Sequence, residues 1–403
     1  MSKPSFAAWR ETVASAVAIG ATALLVACGG GGGDAAPDAA ATTPATATTY
    51  TQGVISGFGS VIVGGVRFDD SSATVADDDG NVRSRSDLRL GMMVEIDAGQ
   101  VNRAAASALA RRIRWGSEIV GPVGSVDEAS STVQVLGQTV LVTTSTVFDD
   151  SLSGGLAALE PGQVVEVHGI LDPANGRVVA TRIEAENAAA VYKLRGAIDN
   201  LDTTTRTFTI NGELISYAGL PAAMVPPGLT KGQIVRVLLQ TGQVDGVWVA
   251  TGLRGGLRLP EARREAHVEG VITVFTSVRS FEINGLLVDA SQASFPDGSA
   301  GITLGSRVEV EGTVDNGTLV ATKVEVEERR DMGHRQMELH GAMGDLDTAG
   351  KTFALRGVTV WYGGQVQFRD GSEATLANGR QVEVKGVLGS DRTRLDARRI
   401  EFK

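Results

Sequence analysis

The sequence predicts an all-β fold in which five tandem, small, five-stranded antiparallel barrels follow a signal peptide and a disordered tether. Three observations predict it: landmarks that recur five times, alternating apolar and charged residues between them, and a composition suited to turns. Glycine makes up 51 of the 403 residues, whereas aromatic residues account for 5%. Because glycine supplies the positive φ angles that tight turns need, this composition favours many short strands.

Residues 1–27 have the features of a secretory signal peptide. Lys3 and Arg10 precede an uncharged run of small and apolar residues from Val13 to Ala27. A membrane-spanning helix needs about 20 such residues, so this run is too short to span a bilayer comfortably. Positive charge followed by a short apolar core is typical of a cleaved export signal.

The end of this run resembles the lipobox of bacterial lipoproteins. It reads Leu25-Val26-Ala27-Cys28, and Cys28 is the single cysteine of the chain. The resemblance implies cleavage before Cys28, a diacylglyceryl group on its sulfur and acylation of the new amino terminus, as by palmitate. Glycine follows the cysteine, which in such lipoproteins favours the outer membrane. Once the thiol carries lipid, no cysteine remains for a disulfide or a thiolate metal site.

Residues 28–50 predict a flexible tether. They consist mainly of glycine, alanine, threonine and proline, without an apolar period. Such a segment cannot bury a core. As a coil of about 22 residues it would hold the first barrel roughly 25 Å from the lipid.

Three landmarks recur in the same order along the rest of the chain. A glycine that opens an alternating strand comes first, at Gly53, Gly121, Gly196, Gly270 and Gly341. A second glycine opens a strand with valine or isoleucine on either side of a charged residue, at Gly91, Gly162, Gly232, Gly305 and Gly379. A strand such as Val320-Ala-Thr-Lys-Val-Glu closes each copy. Self-similarity at this spacing indicates tandem domains. We place repeats 1 to 5 at 51–117, 118–187, 191–256, 265–328 and 336–403.

Alternation within each repeat predicts five strands and their inner faces. In repeat 4, Phe281 lies on the inner face of strand two and Val308 on the inner face of strand four, with Glu309 on the opposite face. This period of two is typical of an antiparallel strand with one buried face. Asn-Gly pairs at 211–212 and 284–285 predict tight hairpins between strands two and three. Closure into a barrel leaves no open edges.

The strand order, with a long third connection that has room for a short helix, resembles the OB-fold. The repeat also resembles a family of bacterial secreted modules known as a domain of unknown function, number five-six-six-six. The resemblance rests on the V-x-G-x-I opening, the F-x-I-N-G hairpin, the G-x-x-V-E-V-x-G strand and the A-T-x-I-E end, and covers residues 52–403 with few gaps. Repeat 1 departs most, because it lacks the strand-two phenylalanine and carries an extra acidic loop. Membership implies an architecture and an envelope location, but no activity.

The linkers between repeats predict an arrangement like beads on a string. Residues 257–264 and 327–336 are charged and long enough to flex. Each repeat also has its own apolar inner face, unlike the repeats of a solenoid, which need neighbours to bury a core.

We expect no metal site, cofactor or catalytic residue. Of the four histidines, His168, His267, His334 and His340, we expect His168 and His340 at the surface because they align with outward positions of other repeats, and His334 lies in a charged linker. The run Asp77-Asp-Asp-Gly80 lacks the ligand spacing and the closing glutamate of a calcium loop, and indicates a solvated turn.

Trp361 is the single candidate for ligand contact. OB-like barrels bind across the outer face of strands two and three, and Trp361 is the only aromatic residue predicted there. It can either pack on a neighbouring domain or stack on a sugar ring. Binding of single-stranded nucleic acid needs aromatic residues beside basic ones. With 47 acidic against 37 basic residues, we expect no nucleic-acid partner.

These observations predict a non-enzymatic, lipid-anchored envelope protein that acts as a spacer or interaction scaffold. Its partners would be the membrane, reached through the lipid at Cys28, and an envelope protein or glycan. We place it at the outer membrane, facing the periplasm or the cell surface. The alternative is a periplasmic module that binds a glycan or another small ligand. The oligomeric state and the relative orientation of the repeats stay open.

Overall fold

The computed structural model describes residues 49–172, 174–255, 263–326 and 336–403. Within these ranges the chain is all-β, and its helices are single 3-10 turns. The turns all lie between the third and fourth strands of a repeat, where the sequence left room for a short helix. They span Arg85–Asp87, Asp150–Leu152, Gly155–Ala158, Ala222–Met224 and Glu373–Thr375.

The strands of repeats 1 and 2 are numbered in chain order. Repeat 1 contains β1 (Thr49–Phe58), β2 (Val61–Val63), β3 (Val66–Asp69), β4 (Thr74–Asp77), β5 (Val82–Arg83), β6 (Met93–Ala98) and β7 (Ser107–Trp115). Repeat 2 contains β8 (Ile119–Asp127), β9 (Thr132–Val135), β10 (Gln138–Leu141), β11 (Val147–Phe148), β12 (Val164–Asp172) and β13 (Arg177–Ala185).

Repeats 3 to 5 follow the same order. Repeat 3 contains β14 (Tyr192–Ala197), β15 (Asp199–Asp202), β16 (Thr207–Ile210), β17 (Glu213–Ser216), β18 (Ile234–Leu239) and β19 (Trp248–Gly255). Repeat 4 contains β20 (Arg263–Ser277), β21 (Ser280–Ile283), β22 (Leu286–Asp289), β23 (Arg307–Asp315) and β24 (Thr318–Val326). Repeat 5 contains β25 (Met337–Ala342), β26 (Gly344–Asp347), β27 (Thr352–Leu355), β28 (Val358–Trp361), β29 (Gln367–Arg369), β30 (Gln381–Leu388) and β31 (Arg394–Phe402).

Strand pairing closes each barrel by the same route. In repeat 2, β8 pairs with β9, β9 with β10, β10 in parallel with β13, β13 with β12, and β12 again with β8. Repeat 4 closes identically through β20, β21, β22, β24 and β23. The predicted all-β class with small closed barrels in tandem is therefore confirmed.

Glycines at two motif positions permit this closure. The glycines that open strand four have φ between +80° and +89° at Gly91, Gly162, Gly232, Gly305 and Gly379. The glycine that ends the G-x-x-V-E-V-x-G motif lies at a β-bulge between strands four and five. At Gly312 an added Cβ would come within 2.2 Å of the carbonyl oxygen of Val320. A bulge bends its strand, which a small barrel needs in order to close.

The barrel interiors are filled by the residues that alternation assigned to them. Strand two contributes Phe208, Phe281 and Phe353, whose side chains are at most 1% exposed. Strand four contributes Val308 and its equivalents in the other repeats, which are also fully buried. At the predicted 211–212 turn, Asn211 and the following glycine have φ of +46° and +92°, as a type I′ hairpin requires.

The beads-on-a-string arrangement is wrong, because strands pair between repeats. The first half of β1 lies parallel to β20 of repeat 4, from Thr49 beside Glu265 to Gln52 beside Val268. The end of β1 pairs in parallel with β25 of repeat 5, and β8 of repeat 2 pairs with β14 of repeat 3. Pairing between repeats satisfies backbone groups that the edge of strand one would otherwise leave open.

Side chains also cross between repeats. Tyr50 is 1% exposed and belongs to the hydrophobic core of repeat 4. It lies in the range assigned to the tether, and that assignment is wrong for Thr49 and Tyr50, which belong to β1. A smaller apolar cluster joins repeats 1, 2 and 4 through Val54, Met93, Ile170 and Val271.

Candidate functional site

The charged residues on the outer face of strand four are covered by neighbouring elements. Alternation placed Arg236 and Glu383 outside their barrels, and that direction is correct. Their exposed fractions are nevertheless only 4% and 7%. A residue that points out of its own barrel can therefore still be buried in the folded chain. Such a charge needs a partner, because an unpaired buried charge is costly.

An acidic loop of repeat 1 supplies several of these partners. The loop joins β4 to β5, and its first carboxylate holds the turn together. The Oδ1 atom of Asp77 accepts hydrogen bonds from the backbone N–H groups of Asp79 and Asn81, while Arg83 donates to Oδ2. These bonds direct the next two carboxylates away from repeat 1.

Those two carboxylates dock on the basic outer face of repeat 3. Lys193 Nζ lies 3.0 Å from Asp78 Oδ1, and the guanidinium of Arg236 lies 2.8 Å from the same oxygen. The second nitrogen of Arg236 lies 2.5 Å from Asp79 Oδ1. We call this contact the charge latch. The solvated turn expected for the Asp77 run is wrong, because the loop carries an inter-repeat ion-pair network.

The latch perturbs the acid–base properties of its members. Burial alone raises the pKa of Asp78, but Lys193 and Arg236 outweigh it and hold that pKa below the ordinary value. Glu118 lies nearby on the linker into repeat 2, and there burial wins, so its pKa is raised. The pKa values of these two neighbouring carboxyl groups are therefore shifted in opposite directions.

A cavity of about 970 Å³ opens beside the latch, between repeats 1, 2 and 3. Its wall combines apolar side chains with charges of both signs. The charged lining residues are Asp77, Asp78, Asp79, Glu95, Arg114, Glu118, Arg195, Arg236 and Arg254. Several buried polar atoms at this wall have no hydrogen-bond partner among the described residues, including Arg195 Nε and Trp115 Nε1. A large concave space with convergent polar groups is the usual form of a small-ligand site.

The histidines of the described strands are not free surface residues. His168 is completely buried, which contradicts the expected exposure, because Trp115 and Gly116 lie against its ring. His267 and His340 are partly buried and face carboxylates. Each of the three lies with two glutamates whose oxygens could share an ion with it. His334 lies outside the described residues.

Glu338 forms a second polar contact between repeats. Its carboxylate pairs with Arg67 of repeat 1, and within repeat 5 it lies 2.6 Å from His340 Nε2 and 2.7 Å from Lys385 Nζ. Burial alone raises the pKa of Glu338, but hydrogen bonds from these three neighbours lower it to about 2.

Trp361 lies where the sequence placed it, on the outer face of β28. Its ring is half-buried, and the guanidinium of Arg394 lies 5.0 Å from the ring centroid. Gly363 and Gly364, which follow Trp361 in the chain, lie close to its ring. A sugar that stacked on the face under Arg394 would have to displace this cation–π contact, which is worth about 0.5–1 kcal/mol at exposed sites.

The predicted lipid attachment at Cys28, the signal at 1–27 and the tether up to residue 48 lie outside the described residues. Among the residues that are described, no helix is long and apolar enough to cross a bilayer.

Closed five-stranded barrels with this pairing order, repeated along one chain, define a class of tandem OB-like β modules. The family model for Domain of unknown function (DUF5666) matches residues 52–114, 120–184, 269–325 and 340–401. These regions make up more than half of the chain, which therefore belongs to this family. The region 191–256 is not among them, so the count of five repeats stays a prediction.

No curated protein matches the chain. Among solved structures, Drosophila Unr CSD456 is 14% identical and is covered over 98% of its own length and 54% of this chain, with a TM-score of 0.13.

Proposed function

We propose that this chain is a lipid-anchored protein of the bacterial cell envelope that acts as a non-enzymatic scaffold. The observation that carries the scaffold function is the strand pairing between repeats. Parallel pairing of β1 with both β20 and β25 brings repeats 4 and 5 against repeat 1, although both follow it by more than 140 residues. Repeats joined in this way hold their outer faces in one fixed arrangement. A partner could therefore contact the outer faces of several repeats at the same time.

The location rests on the signal-like run up to Ala27 and on the thiol of Cys28. In cells, Cys28→Ser should yield a soluble or unprocessed product, because a hydroxyl cannot form the thioether. Membrane fractionation followed by mass spectrometry of the mature N-terminus measures this. An unmodified N-terminus at any residue other than 28 in the unaltered chain would contradict the anchor.

The scaffold function is tested by photo-cross-linking in intact cells. Leu287 on the outer face of repeat 4 is 45% exposed, and Val82 at the edge of the acidic loop is 80% exposed, so both can carry a photoreactive side chain. A discrete envelope-protein adduct that forms from Leu287 but not from Val82 supports a partner on repeat 4. Equal, diffuse labelling from both positions would contradict a specific scaffold.

Binding of a small polar ligand is the second candidate, favoured by the cavity beside the charge latch. Trp115 lines this cavity, whereas Trp361 lies on repeat 5. A cell-wall disaccharide titrated into the full chain should change tryptophan fluorescence in a saturable way. Loss of the change in Trp115→Phe would place binding in the cavity, and loss in Trp361→Phe would place it on β28. No saturable change in the unaltered chain would contradict glycan binding.

A further inference from the structure

Three potential metal ligands meet on the outer face of repeat 2. Glu166 and His168 stand two residues apart on β12 and therefore point to the same side of the sheet. Glu184 on β13 is the cross-strand partner of Glu166. One ligand atom from each lies within 4.8 Å of the others.

The state of the imidazole distinguishes this group from an ordinary acidic patch. His168 is 0% exposed. Its Nδ1 lies 3.1 Å from the carbonyl oxygen of Gly116, and because a carbonyl only accepts, Nδ1 carries the proton. In the neutral ring Nε2 then presents a lone pair. That atom has no hydrogen-bond partner among the described residues and faces the two carboxylates.

The distances fit a shared cation better than a direct bond. His168 Nε2 lies 3.8 Å from Glu166 Oε1 and 3.9 Å from Glu184 Oε2, too far for hydrogen bonds. Ligand atoms around tetrahedral zinc, at 2.0–2.1 Å from the metal, are about 3.3 Å apart. Each distance would have to shorten by about half an ångström, which rotation of the glutamate side chains allows. The three ligand atoms could then bind one ion.

We propose that Glu166, His168 and Glu184 form a binding site for a divalent transition-metal ion, with Zn²⁺ as the fitting ion. Imidazole together with carboxylates is a usual zinc ligand set. The Nδ1–H bond to a backbone carbonyl is the outer-shell contact that metal-binding histidines usually have, since it fixes the tautomer and the ring orientation.

The histidines of the two related groups are less buried and lysines already pair with their carboxylates, which makes these groups internal controls. His340 is 29% exposed and already has Glu338 at 2.6 Å, and Lys385 and Lys403 neutralise the carboxylates around it. In repeat 4, Lys323 lies 2.5 Å from Glu311 and so occupies the position of a cation.

One cation also lies beside the repeat 2 group. Arg182 contacts Glu184 through Oε1, which leaves Oε2 directed at His168. Glu166 has no arginine or lysine bridge among the described residues, so the group keeps a net negative charge when His168 is neutral. A divalent ion would therefore still be attracted.

The position of the group suggests what the ion would do. Trp115 packs on the His168 ring, and Gly116 accepts its Nδ1–H bond. These two residues connect the last strand of repeat 1 to the first strand of repeat 2. An ion held by His168 would fix β12 and β13 and, through Gly116, the junction between the two repeats.

The test uses the full chain without an affinity tag and with Cys28→Ser, so that no thiol competes for zinc. After incubation with Zn²⁺ and gel filtration, we expect about one zinc per chain by elemental analysis. His168→Gln should reduce this to about a tenth, whereas the matched control His340→Gln should leave it unchanged. Co²⁺ in place of zinc should give the intensified visible absorption of a tetrahedral site, again lost in His168→Gln.

Glu166→Gln keeps the test decisive if His168→Gln fails to fold, which circular dichroism would show. The Glu166 side chain is 14% exposed. Loss of its carboxylate in Glu166→Gln should weaken zinc binding at least tenfold without unfolding the barrel. Zinc-free wild-type chain after the same treatment would overturn the site. So would equal zinc content in the folded His168 or Glu166 variants and in the wild type.

Discussion

Repeats 3 and 5 have the same interior but opposite charge on the outer face of strand four. The inner valines of β18 and β30 are equally buried, at no more than 1% exposed. Between them β18 carries Arg236, which binds the acidic loop of repeat 1, whereas β30 carries Glu383, which lies beside Lys403. The shared interior makes the barrel, whereas the outward residue of strand four pairs with another repeat in repeat 3 and within its own repeat in repeat 5.

The largest effect should come from the shared interior. Phe208→Ala in repeat 3 and Phe353→Ala in repeat 5 should each cost about 3–5 kcal/mol, since both rings are fully buried. Hydrogen exchange of the strands in the altered barrel measures the free energy of local unfolding. Phe275→Ala, at a ring that is 36% exposed, serves as the control and should cost less. If repeats 3 and 5 responded very differently, their interiors would not be equivalent.

A smaller effect should follow when the outward charge of repeat 3 is reversed. Arg236→Glu places a carboxylate against Asp78 and Asp79 and should cost about 3 kcal/mol, because the acidic loop loses its buried partner. Small-angle scattering should record a larger radius of gyration. Adding Asp79→Lys to Arg236→Glu reverses this one pair, leaves Asp78 with Lys193, and should restore much of the compactness.

The control for the charge latch is the same reversal at an exposed arginine. Arg254 is the cross-strand neighbour of Arg236 but is exposed. Arg254→Glu should change stability by no more than about 0.5 kcal/mol. Equal effects at the two arginines would show that net charge, and not the latch, holds repeats 1 and 3 together.

The smallest effect concerns repeat 5 and depends on pH. The pKa of Glu338 falls from an ordinary 4.5 to about 2 in the folded chain. Its stabilising contribution is therefore complete above about pH 4.5 and is lost as the pH falls towards 2. Glu338→Gln should cost about 1–2 kcal/mol at pH 7. The difference between the variant and the wild type should vanish near pH 2 in unfolding measured across this range. A difference that stayed constant with pH would assign the loss to packing.

The barrels could be predicted because local rules determine them. Alternation identified the inner faces, and the Asn-Gly pair at 211–212 identified a hairpin. Buried phenylalanines and turn glycines make their contacts within one repeat. The sequence of a single repeat therefore contains what is needed to predict its barrel. The joints depend instead on residues that are dozens to hundreds of positions apart, and no local period reports them.

The error at His168 has a specific physical source. The register was correct, since His168 occupies the same outward position as Glu311 and Lys385. The outward direction does not make His168 exposed, because Trp115 and Gly116 of repeat 1 cover this face. Two signals for the charge latch were nevertheless present in the sequence. Arginine replaces an acidic residue at position 236 only in repeat 3, and an extra acidic loop occurs only in repeat 1.

The pairing of β1 with β20 also imposes an order on folding. Thr49 Oγ1 lies 3.5 Å from Glu265 Oε2, a contact across 216 residues. Because 216 residues separate these two side chains, more than half of the chain must follow the first strand before its neighbour is available. During that time one edge of β1 and the aromatic ring of Tyr50 have no native partner, and exposed edges are where chains aggregate. The amino-terminal barrel is therefore the first to be made and among the last to be completed.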